Sequence, residues 1–343
     1  MVTIGVGGKV LLATASADGD VRIWDPIDGQ CLRVLSGHTD AVSAICRVTV
    51  DGHDLLATGS RDRTARLWDL ATDDLRHGPE ARGGRVSAAC PARAGNRELV
   101  AAVDGTGGPI RVQDVETGAE TRTFGGVFAG VTGLCAVHGL IASATDSGAL
   151  HTWNPISGAG QQNKARRFEA LQAICPFRDG DGSDLLAIVG SRRICYYRPE
   201  TDRVLARHRM GGFLPADDVF GHLQGIHLAC QALEPPAALL ATAGDDEAIL
   251  LWSPGGRLVG TLRGHRRAVR SLARVTVDGR GLLASGSDDQ TVRLWDPATR
   301  QCVATLTGHL DGVDAVCPVT VDDRPMLASG SRDRTVRLWD LST

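Results

Sequence analysis

The sequence lacks several features that mark particular classes of protein. No apolar run approaches the roughly 20 residues that a membrane-spanning helix needs, so we expect no membrane partner. The first ten residues contain no basic segment followed by a long apolar core, which argues against a secretory signal. The nine cysteines include no CxxC pair, so the sequence indicates neither a disulfide framework nor a zinc site. We therefore expect a protein of the reducing cytoplasm that carries no metal and no cofactor.

An excess of charge of one sign is missing as well. The 343 residues include 37 basic and 40 acidic side chains, which gives a net charge of −3, and only Lys9 and Lys164 are lysines. A protein that binds nucleic acid needs a surface with an excess of basic groups. The balance of arginine and acidic residues therefore favours a protein or peptide partner and predicts no nucleic-acid partner.

The few aromatic residues mark an internal repeat. Aromatics make up only 4% of the chain, yet six of them are tryptophans. Five segments overlay closely, at 11–26, 55–70, 239–254, 282–297 and 326–341, and three weaker copies lie at 99–115, 140–155 and 185–200. The tryptophan position recurs about every 44 residues, at Trp24, Trp68, Gln113, Trp153, Tyr197, Trp252, Trp295 and Trp339. This period excludes the helical repeats of about 33 to 34 residues.

The residue pattern of each repeat unit predicts β-structure. A strong copy holds four runs of about five to eight residues, separated by turns rich in glycine and aspartate. Each unit is therefore predicted to form a four-stranded antiparallel sheet. The units around Gln113, Trp153 and Tyr197 depart from the pattern, so we expect these three to be degenerate and less regular.

A Gly-His pair stands about 30 residues before a Trp-Asp pair in three units. The pairs are Gly37-His38 with Trp68-Asp69, Gly264-His265 with Trp295-Asp296, and Gly308-His309 with Trp339-Asp340, and Gly221-His222 precedes Trp252 at the same distance. On these motifs the sequence resembles the WD40-repeat β-propellers over residues 1–343. The resemblance implies one all-β domain of four-stranded antiparallel blades around a central channel. Counting the units predicts eight blades, with seven as the alternative.

The resemblance also implies a buried hydrogen-bond chain within a blade, made by the histidine, a Ser/Thr, an aspartate and the tryptophan. Matching the motif residue by residue gives four sets: His38, Thr58, Asp62 and Trp68; His222, Thr242, Asp246 and Trp252; His265, Ser285, Asp289 and Trp295; His309, Ser329, Asp333 and Trp339. Serine, histidine and aspartate together also invite a hydrolase interpretation. A catalytic triad occurs once in an enzyme, whereas this set recurs four times at one spacing, so we expect a structural role and no catalytic residues.

The two ends of the sequence do not match a closed ring. The first unit holds only the end of a first strand, and the last unit has no fourth strand. We expect an incompletely closed seam that leaves strand 335–341 exposed. An exposed edge can pair with another chain, so a homodimer through this strand is a prediction.

The resemblance places the loop after each Gly-His pair, and the turn before each third strand, on one face of the propeller. Ten residues are expected there as partner-binding residues: Asp40, Ser43, Arg61, His227, Arg267, Arg270, Asp288, Asp311, Asp314 and Arg332. The function predicted is a non-catalytic scaffold that binds a protein or peptide on this face. The alternatives are a module that self-assembles through the open seam, the sensor domain of a bacterial kinase or nucleotidase signalling system, and, least favoured, an enzyme in the central channel.

Overall fold

The computed structural model describes residues 1–72, 74–76, 86–104, 108–125, 130–162, 170–190, 193–201, 203–209 and 226–342. In these ranges the regular structure consists of β-strands and one short 3-10 turn, Pro199–Thr201. The chain divides into two compact units, residues 1–167 and 168–343.

The first unit contains four antiparallel sheets, which we call blades 1 to 4, each built from four consecutive strands. Blade 1 comprises β1 Val2–Val6, β2 Lys9–Ala15, β3 Val21–Trp24 and β4 Cys31–Leu35; blade 2 comprises β5 Val42–Val50, β6 His53–Ser60, β7 Ala65–Asp69 and β8 Asp74–Arg76; blade 3 comprises β9 Val86–Ala94, β10 Arg97–Asp104, β11 Ile110–Asp114 and β12 Glu120–Phe124; blade 4 comprises β13 Val131–Val137, β14 Leu140–Thr145, β15 Leu150–Trp153 and β16 Gly160–Gln162.

The second unit contains three four-stranded sheets and, in the described residues, one three-stranded sheet, blades 5 to 8. Blade 5 comprises β17 Leu171–Arg178, β18 Asp184–Gly190, β19 Arg193–Arg198 and β20 Arg203–Arg209; blade 6 comprises β21 Ile226–Leu233, β22 Leu239–Gly244, β23 Ile249–Trp252 and β24 Leu258–Leu262; blade 7 comprises β25 Val269–Val277, β26 Arg280–Ser287, β27 Val292–Asp296 and β28 Gln301–Leu306; blade 8 comprises β29 Val313–Val321, β30 Arg324–Ser331 and β31 Val336–Asp340.

A two-residue turn joins the first and second strands of several blades. In blade 2, Val50 pairs with His53 across Asp51 and Gly52, which have φ angles of 48° and 80°. Two successive residues of positive φ are typical of a type I′ turn, which suits the twist of a hairpin and favours the Asp-Gly pair. The same arrangement at Asp278 and Gly279 joins the strands of blade 7.

The hydrophobic core is divided into clusters that lie between neighbouring blades of the same unit. Ile4 and Ile23 of blade 1 pack with Leu56 and Trp68 of blade 2, and all four are buried. Similar clusters join blades 2 and 3, 3 and 4, 5 and 6, 6 and 7, and 7 and 8. Both faces of an inner strand are therefore covered, which explains why strands such as β6 carry long buried runs instead of strict alternation.

The predicted all-β propeller class is confirmed, and the described residues form eight blades, not seven. The degenerate units around Gln113, Trp153 and Tyr197 also form blades. That residues 1–343 make one domain stays a prediction. The predicted edge at 335–341 corresponds to β31, Val336–Asp340, which in the described residues pairs only with β30. The side chains of its first four residues are half-buried, and Leu341 is buried.

Candidate functional site

A chain of hydrogen bonds runs through blade 2. The Nε1–H of Trp68 on β7 donates to Thr58 Oγ1 on β6 over 2.9 Å. The Thr58 hydroxyl lies 2.9 Å from His38 Nε2, and His38 Nδ1 lies 2.8 Å from Asp62 Oδ2. An indole N–H only donates, so the hydroxyl accepts from it and donates to Nε2, and the imidazole donates from Nδ1 to the carboxylate.

Blades 7 and 8 repeat this chain with the same geometry. In blade 7 the distances are 2.8 Å from Trp295 Nε1 to Ser285 Oγ, 2.7 Å from Ser285 Oγ to His265 Nε2, and 2.8 Å from His265 Nδ1 to Asp289 Oδ2. The corresponding distances in blade 8, through Trp339, Ser329, His309 and Asp333, are 2.8, 2.8 and 2.9 Å.

The fourth set, in blade 6, is described in part. Trp252 Nε1 donates to Thr242 Oγ1 over 2.8 Å, and both residues are buried. Asp246 lies in the turn between β22 and β23, and His222 lies outside the described residues.

A fifth member of each chain was missed in the sequence. The hydroxyl of Thr64 donates to Asp62 Oδ1 over 2.7 Å, and Thr291 and Thr335 make the same contact over 2.6 Å with Asp289 and Asp333. The backbone N–H of the same threonine also donates to that oxygen. The signal is a repeated Asp-x-Thr, so it could have been found beside the other motif residues.

Burial and hydrogen bonding set the charge states within the chain. Burial lowers the pKa of His38 and so favours the neutral imidazole that the chain needs. Burial alone would raise the pKa of Asp62, but the hydrogen bonds from Thr64, the Thr39 amide and His38 outweigh it and lower that pKa to about 2. A carboxylate and a neutral imidazole are therefore the stable forms at neutral pH.

The chain has the connectivity of a Ser-His-Asp triad but not its accessibility. Ser329 and the side chain of His309 are 0% exposed, so no substrate can reach the hydroxyl. The Ser329 Oγ also accepts the indole N–H of Trp339, which occupies a lone pair that a nucleophile would use. The arrangement stabilises a blade and is not built for nucleophilic attack.

The glycine of the Gly-His pair lies so close to an arginine and the tryptophan of its blade that a side chain would not fit. A Cβ at Gly264 would lie 2.8 Å from Arg293 Nη1 and 3.2 Å from Trp295 Cη2. The guanidinium groups of Arg66 and Arg337 approach Gly37 and Gly308 in the same way. A side chain at this position would displace the arginine that covers the tryptophan.

The structure ties together the loop and turn that carry the predicted partner-binding residues in blade 2. Ser60 Oγ donates to the Asp40 carbonyl over 2.8 Å, and the Arg61 amide donates to the Ala41 carbonyl over 2.9 Å. Asp40, Ser43 and Arg61 are exposed. The Ser43 hydroxyl donates to the carbonyl of Val86, which links blade 2 to blade 3.

The same tie recurs in blades 7 and 8. Ser287 Oγ donates to the Arg267 carbonyl over 3.1 Å, and Ser331 Oγ donates to the Asp311 carbonyl over 3.0 Å. Arg267 and Asp311 are exposed. His227 is the second residue of β21, but its side chain lies outside the described residues. We call the loop before the first strand and the turn before the third strand the loop face of a blade.

Four of the predicted partner-binding residues pair with one another across blades of the second unit. Arg270 donates to Asp288 over 2.7 Å and to Asp245 over 3.1 Å. Arg332 lies 2.8 Å from Asp314 and 3.1 Å from Asp288. The hydrogen bond from Arg270 lowers the pKa of Asp288, whose side chain is only 16% exposed. This ladder of alternating charges links blades 6, 7 and 8. Its four predicted partner-binding residues are therefore less available to a partner than the sequence predicts.

An apolar residue on the loop face was not predicted. Leu310, directly after His309, is 81% exposed, the highest value among the large hydrophobic side chains of the described residues. The equivalent positions in blades 2 and 7 hold Thr39 and Arg266. Its sequence signal is an apolar residue directly after the Gly-His pair, which the sequence also has at Leu223, after Gly221-His222.

Neither a metal centre nor a membrane-spanning helix is found in the part of the chain that the structure describes. No group of three or more His, Cys, Asp or Glu side chains there is arranged to hold a metal ion. No helix in that part is long and apolar enough to cross a membrane.

Comparison with known proteins adds three findings. The family profile "WD domain, G-beta repeat" matches residues 6–25, 29–69, 256–296 and 300–340. A segment of 34 residues is 62% identical to Protein Notchless of Drosophila melanogaster, and it spans 10% of this chain and only 7% of that protein. The crystal structure of the computationally designed Ika8 protein matches with a TM-score of 0.72 at 22% identity, over 99% of this chain and 96% of that chain, which is a likeness of fold alone.

Four matched repeats, the eight blades and the recurring hydrogen-bond chain agree with one another. On this evidence four regions of the chain are WD40 repeats, and they are similar in motif and fold to the WD40-repeat β-propellers.

Proposed function

We propose that this chain is a non-catalytic scaffold that binds a protein or peptide partner on the loop face of its second unit. WD40 propellers generally mediate protein–protein interactions and are typically non-catalytic, which gives the class of function. The observation that carries the choice of face is Leu310, an apolar side chain 81% exposed beside the ladder of paired charges.

This surface has the composition of a protein interface. Interfaces concentrate binding energy in a few well-packed anchor residues, and polar groups surround these at the rim. Leu310 would be the anchor, with Asp311, Asp314 and Arg332 beside it. Because Asp314 and Arg332 already neutralise each other, a partner can cover them at a lower desolvation cost than isolated charges would impose.

The test is capture of partners from a lysate of the source cells, identified by mass spectrometry, with three baits. The wild-type chain is compared with Leu310→Asp, which removes the anchor, and with Val303→Asp. Val303 is 54% exposed on β28 in the same unit and serves as the matched control. We expect proteins that the wild type and V303D capture and that L310D loses at least tenfold.

Two outcomes would contradict the proposal. Equal capture by L310D and the wild type would move the binding surface away from the loop face. Absence of any specific partner, with all three baits folded by circular dichroism, would count against a scaffold and return attention to catalysis.

A second candidate, self-assembly into a homodimer, rests on β31. In the described residues β31 pairs only with β30, whereas β27 of blade 7 pairs with strands on both sides. Its unpaired backbone groups could accept a strand from another copy. Light scattering after size exclusion would show twice the 36.1 kDa chain mass at high concentration, and a constant 36.1 kDa would refute the dimer.

We also propose a cytoplasmic location. All nine cysteines have free thiols, and seven of them are buried or half-buried, as a reducing compartment permits. Fractionation of the source cells tests this, and recovery from a secreted or membrane fraction would contradict it.

A further inference from the structure

A polar cleft of about 240 Å³ lies between blades 2 and 3 of the first unit. It is formed by the turn after β5, the hairpin between β9 and β10, and the residues that follow β11. Asp40 and Asp51 flank opposite ends of the nine-residue strand β5, so the cleft lies at the end of the blade away from the loop face. It is smaller than the roughly 300–1,000 Å³ of drug-sized sites and suits a single side chain.

Asp114 places a carboxylate with an open oxygen in this cleft. The residue is 7% exposed, and its Oδ1 accepts hydrogen bonds from the backbone of Glu116 and Thr117. Among the described residues, the partner of its Oδ2 is a guanidinium nitrogen of Arg97 at 4.0 Å, which is beyond hydrogen-bonding distance.

In blade 7 the equivalent arginine and aspartate form a direct hydrogen bond. Asp296 ends β27 as Asp114 ends β11, and Arg280 begins β26 as Arg97 begins β10. Arg280 Nη2 donates to Asp296 Oδ2 over 2.8 Å. The pair is therefore closed in blade 7 and open in blade 3, where Asp114 Oδ2 faces the cleft. In blade 8 the equivalent residues, Arg324 and Asp340, likewise form no ion pair in the described residues, but the cleft described above adjoins only the pair of blade 3.

The charges that line the cleft do not cancel. Four carboxylates, of Asp51, Glu98, Asp114 and Glu116, face two guanidinium groups, of Arg93 and Arg97. Arg93 pairs with Glu98 over 3.1 Å, and Arg97 lies against Asp114. In the described residues the exposed carboxylates of Asp51 and Glu116 make no ion pair, so the cleft carries two negative charges in excess.

We infer that this cleft binds one arginine side chain of a partner peptide. The guanidinium would donate to Asp114 Oδ2 in place of Arg97, and Asp51 and Glu116 would flank it at the rim. A planar guanidinium offers paired donors that match a carboxylate, which favours arginine over lysine. A metal ion is not the occupant we propose, because the described residues contain no cluster arranged for one. This site is separate from the loop face and does not depend on the function proposed for it.

The experiment is an NMR titration of the full chain with two peptides, acetyl-Gly-Gly-Arg-Gly-Gly-amide and the same peptide with citrulline in place of arginine. Citrulline has the same shape and no charge. We expect saturable shifts of the Gly52, Asn96 and Glu116 amides with the arginine peptide, and binding at least tenfold weaker with the citrulline peptide. Equal binding of both peptides, or no binding at 10 mM peptide, would overturn the inference.

Three variants separate recognition from structure. The double variant D51N/E116Q should weaken binding at least fivefold, whereas D278N, at the equivalent turn of blade 7, should leave it unchanged. Arg97→Gln should strengthen binding two- to fivefold, because it removes the competitor for the Asp114 carboxylate. A weaker complex with R97Q, or undiminished binding by D51N/E116Q, would refute the site.

Discussion

At the scale of the residue, the hydroxyl at the centre of each hydrogen-bond chain has the most demanding position. Ser285 Oγ accepts from Trp295 Nε1 and donates to His265 Nε2, and all three residues are buried. Removing this hydroxyl leaves one donor and one acceptor without partners, and water cannot reach them. The cost of such orphaned groups exceeds the net gain of an ordinary hydrogen bond.

We therefore predict that Ser285→Ala lowers the free energy of unfolding by about 2–6 kcal/mol, from about 1–3 kcal/mol for each of the two orphaned groups. Ser285→Thr is the matched control, because blade 2 uses Thr58 in the same role. Urea unfolding followed by circular dichroism measures both variants. If S285A were as stable as S285T, the chain would contribute little to stability.

The lowered pKa of Asp62 predicts how the stability of the protein depends on pH in acid. Its pKa is lowered from the ordinary 3.8 to about 2, so the unfolded state takes up a proton at a higher pH than the folded state does. The stability that this carboxylate contributes is complete above about pH 4 and is lost as the pH falls towards 2. The pKa values of Asp289 and Asp333 are lowered in the same direction.

The prediction is that the free energy of unfolding falls steeply between pH 4 and pH 2, and that Asp62→Asn reduces this slope. At neutral pH the variant should be less stable than the wild type, because an amide replaces the charged acceptor of His38 Nδ1. Urea unfolding at a series of pH values gives both quantities. An unchanged acid slope in D62N would show that Asp62 titrates alike in both states.

At the scale of the element, blades 7 and 8 compare a third strand with and without a neighbour. The strands β27 and β31 have the same sequence, Val-Arg-Leu-Trp-Asp. Trp295 is 1% exposed, whereas Trp339 is only half-buried, although both indoles donate to a serine over 2.8 Å. The fourth strand β28 therefore completes the burial of its blade, and β31 in the described residues has no such cover.

We predict that Trp295→Ala costs about 3–5 kcal/mol, in the range of large core truncations, and that Trp339→Ala costs about half as much. The hydrogen-bond loss is common to both variants, so the difference measures the missing cover. Urea unfolding followed by circular dichroism provides the comparison. Equal losses would indicate that β31 is covered in solution, as a dimer through this strand would require.

The same elements show which features could be predicted from the sequence. Strand order and blade number follow from a repeat of apolar runs and turns, because a sheet of consecutive hairpins needs only local information. The ladder from Asp245 to Asp314 and the open pair of Asp114 and Arg97 were not predictable. They depend on distances between side chains of neighbouring blades or of one blade's separate strands, and differences near 1 Å decide them.

At the scale of the whole molecule, the chain of hydrogen bonds is unevenly distributed among the blades. In the described residues, blades 2, 7 and 8 have it complete. In blade 4 the position of Thr58 is held by Ser143, whose buried hydroxyl has no hydrogen-bond partner. Trp153 there stacks on His151 and on Phe124, with ring centroids 5.3 and 5.0 Å apart. Ring stacking is therefore prominent at the tryptophan of this blade, and in the described residues the Ser143 hydroxyl is left unsatisfied.

Repeat proteins open locally, and each blade has a stability that its own contacts and its neighbours set. We predict that backbone amides of β14 and β15 exchange with deuterium at least tenfold faster than those of β26 and β27, measured by mass spectrometry at neutral pH. The variant S285A is the internal control, because it should speed exchange in blade 7 and leave blade 4 unchanged. Uniform protection of all blades, before and after this substitution, would mean that the molecule opens only as a whole.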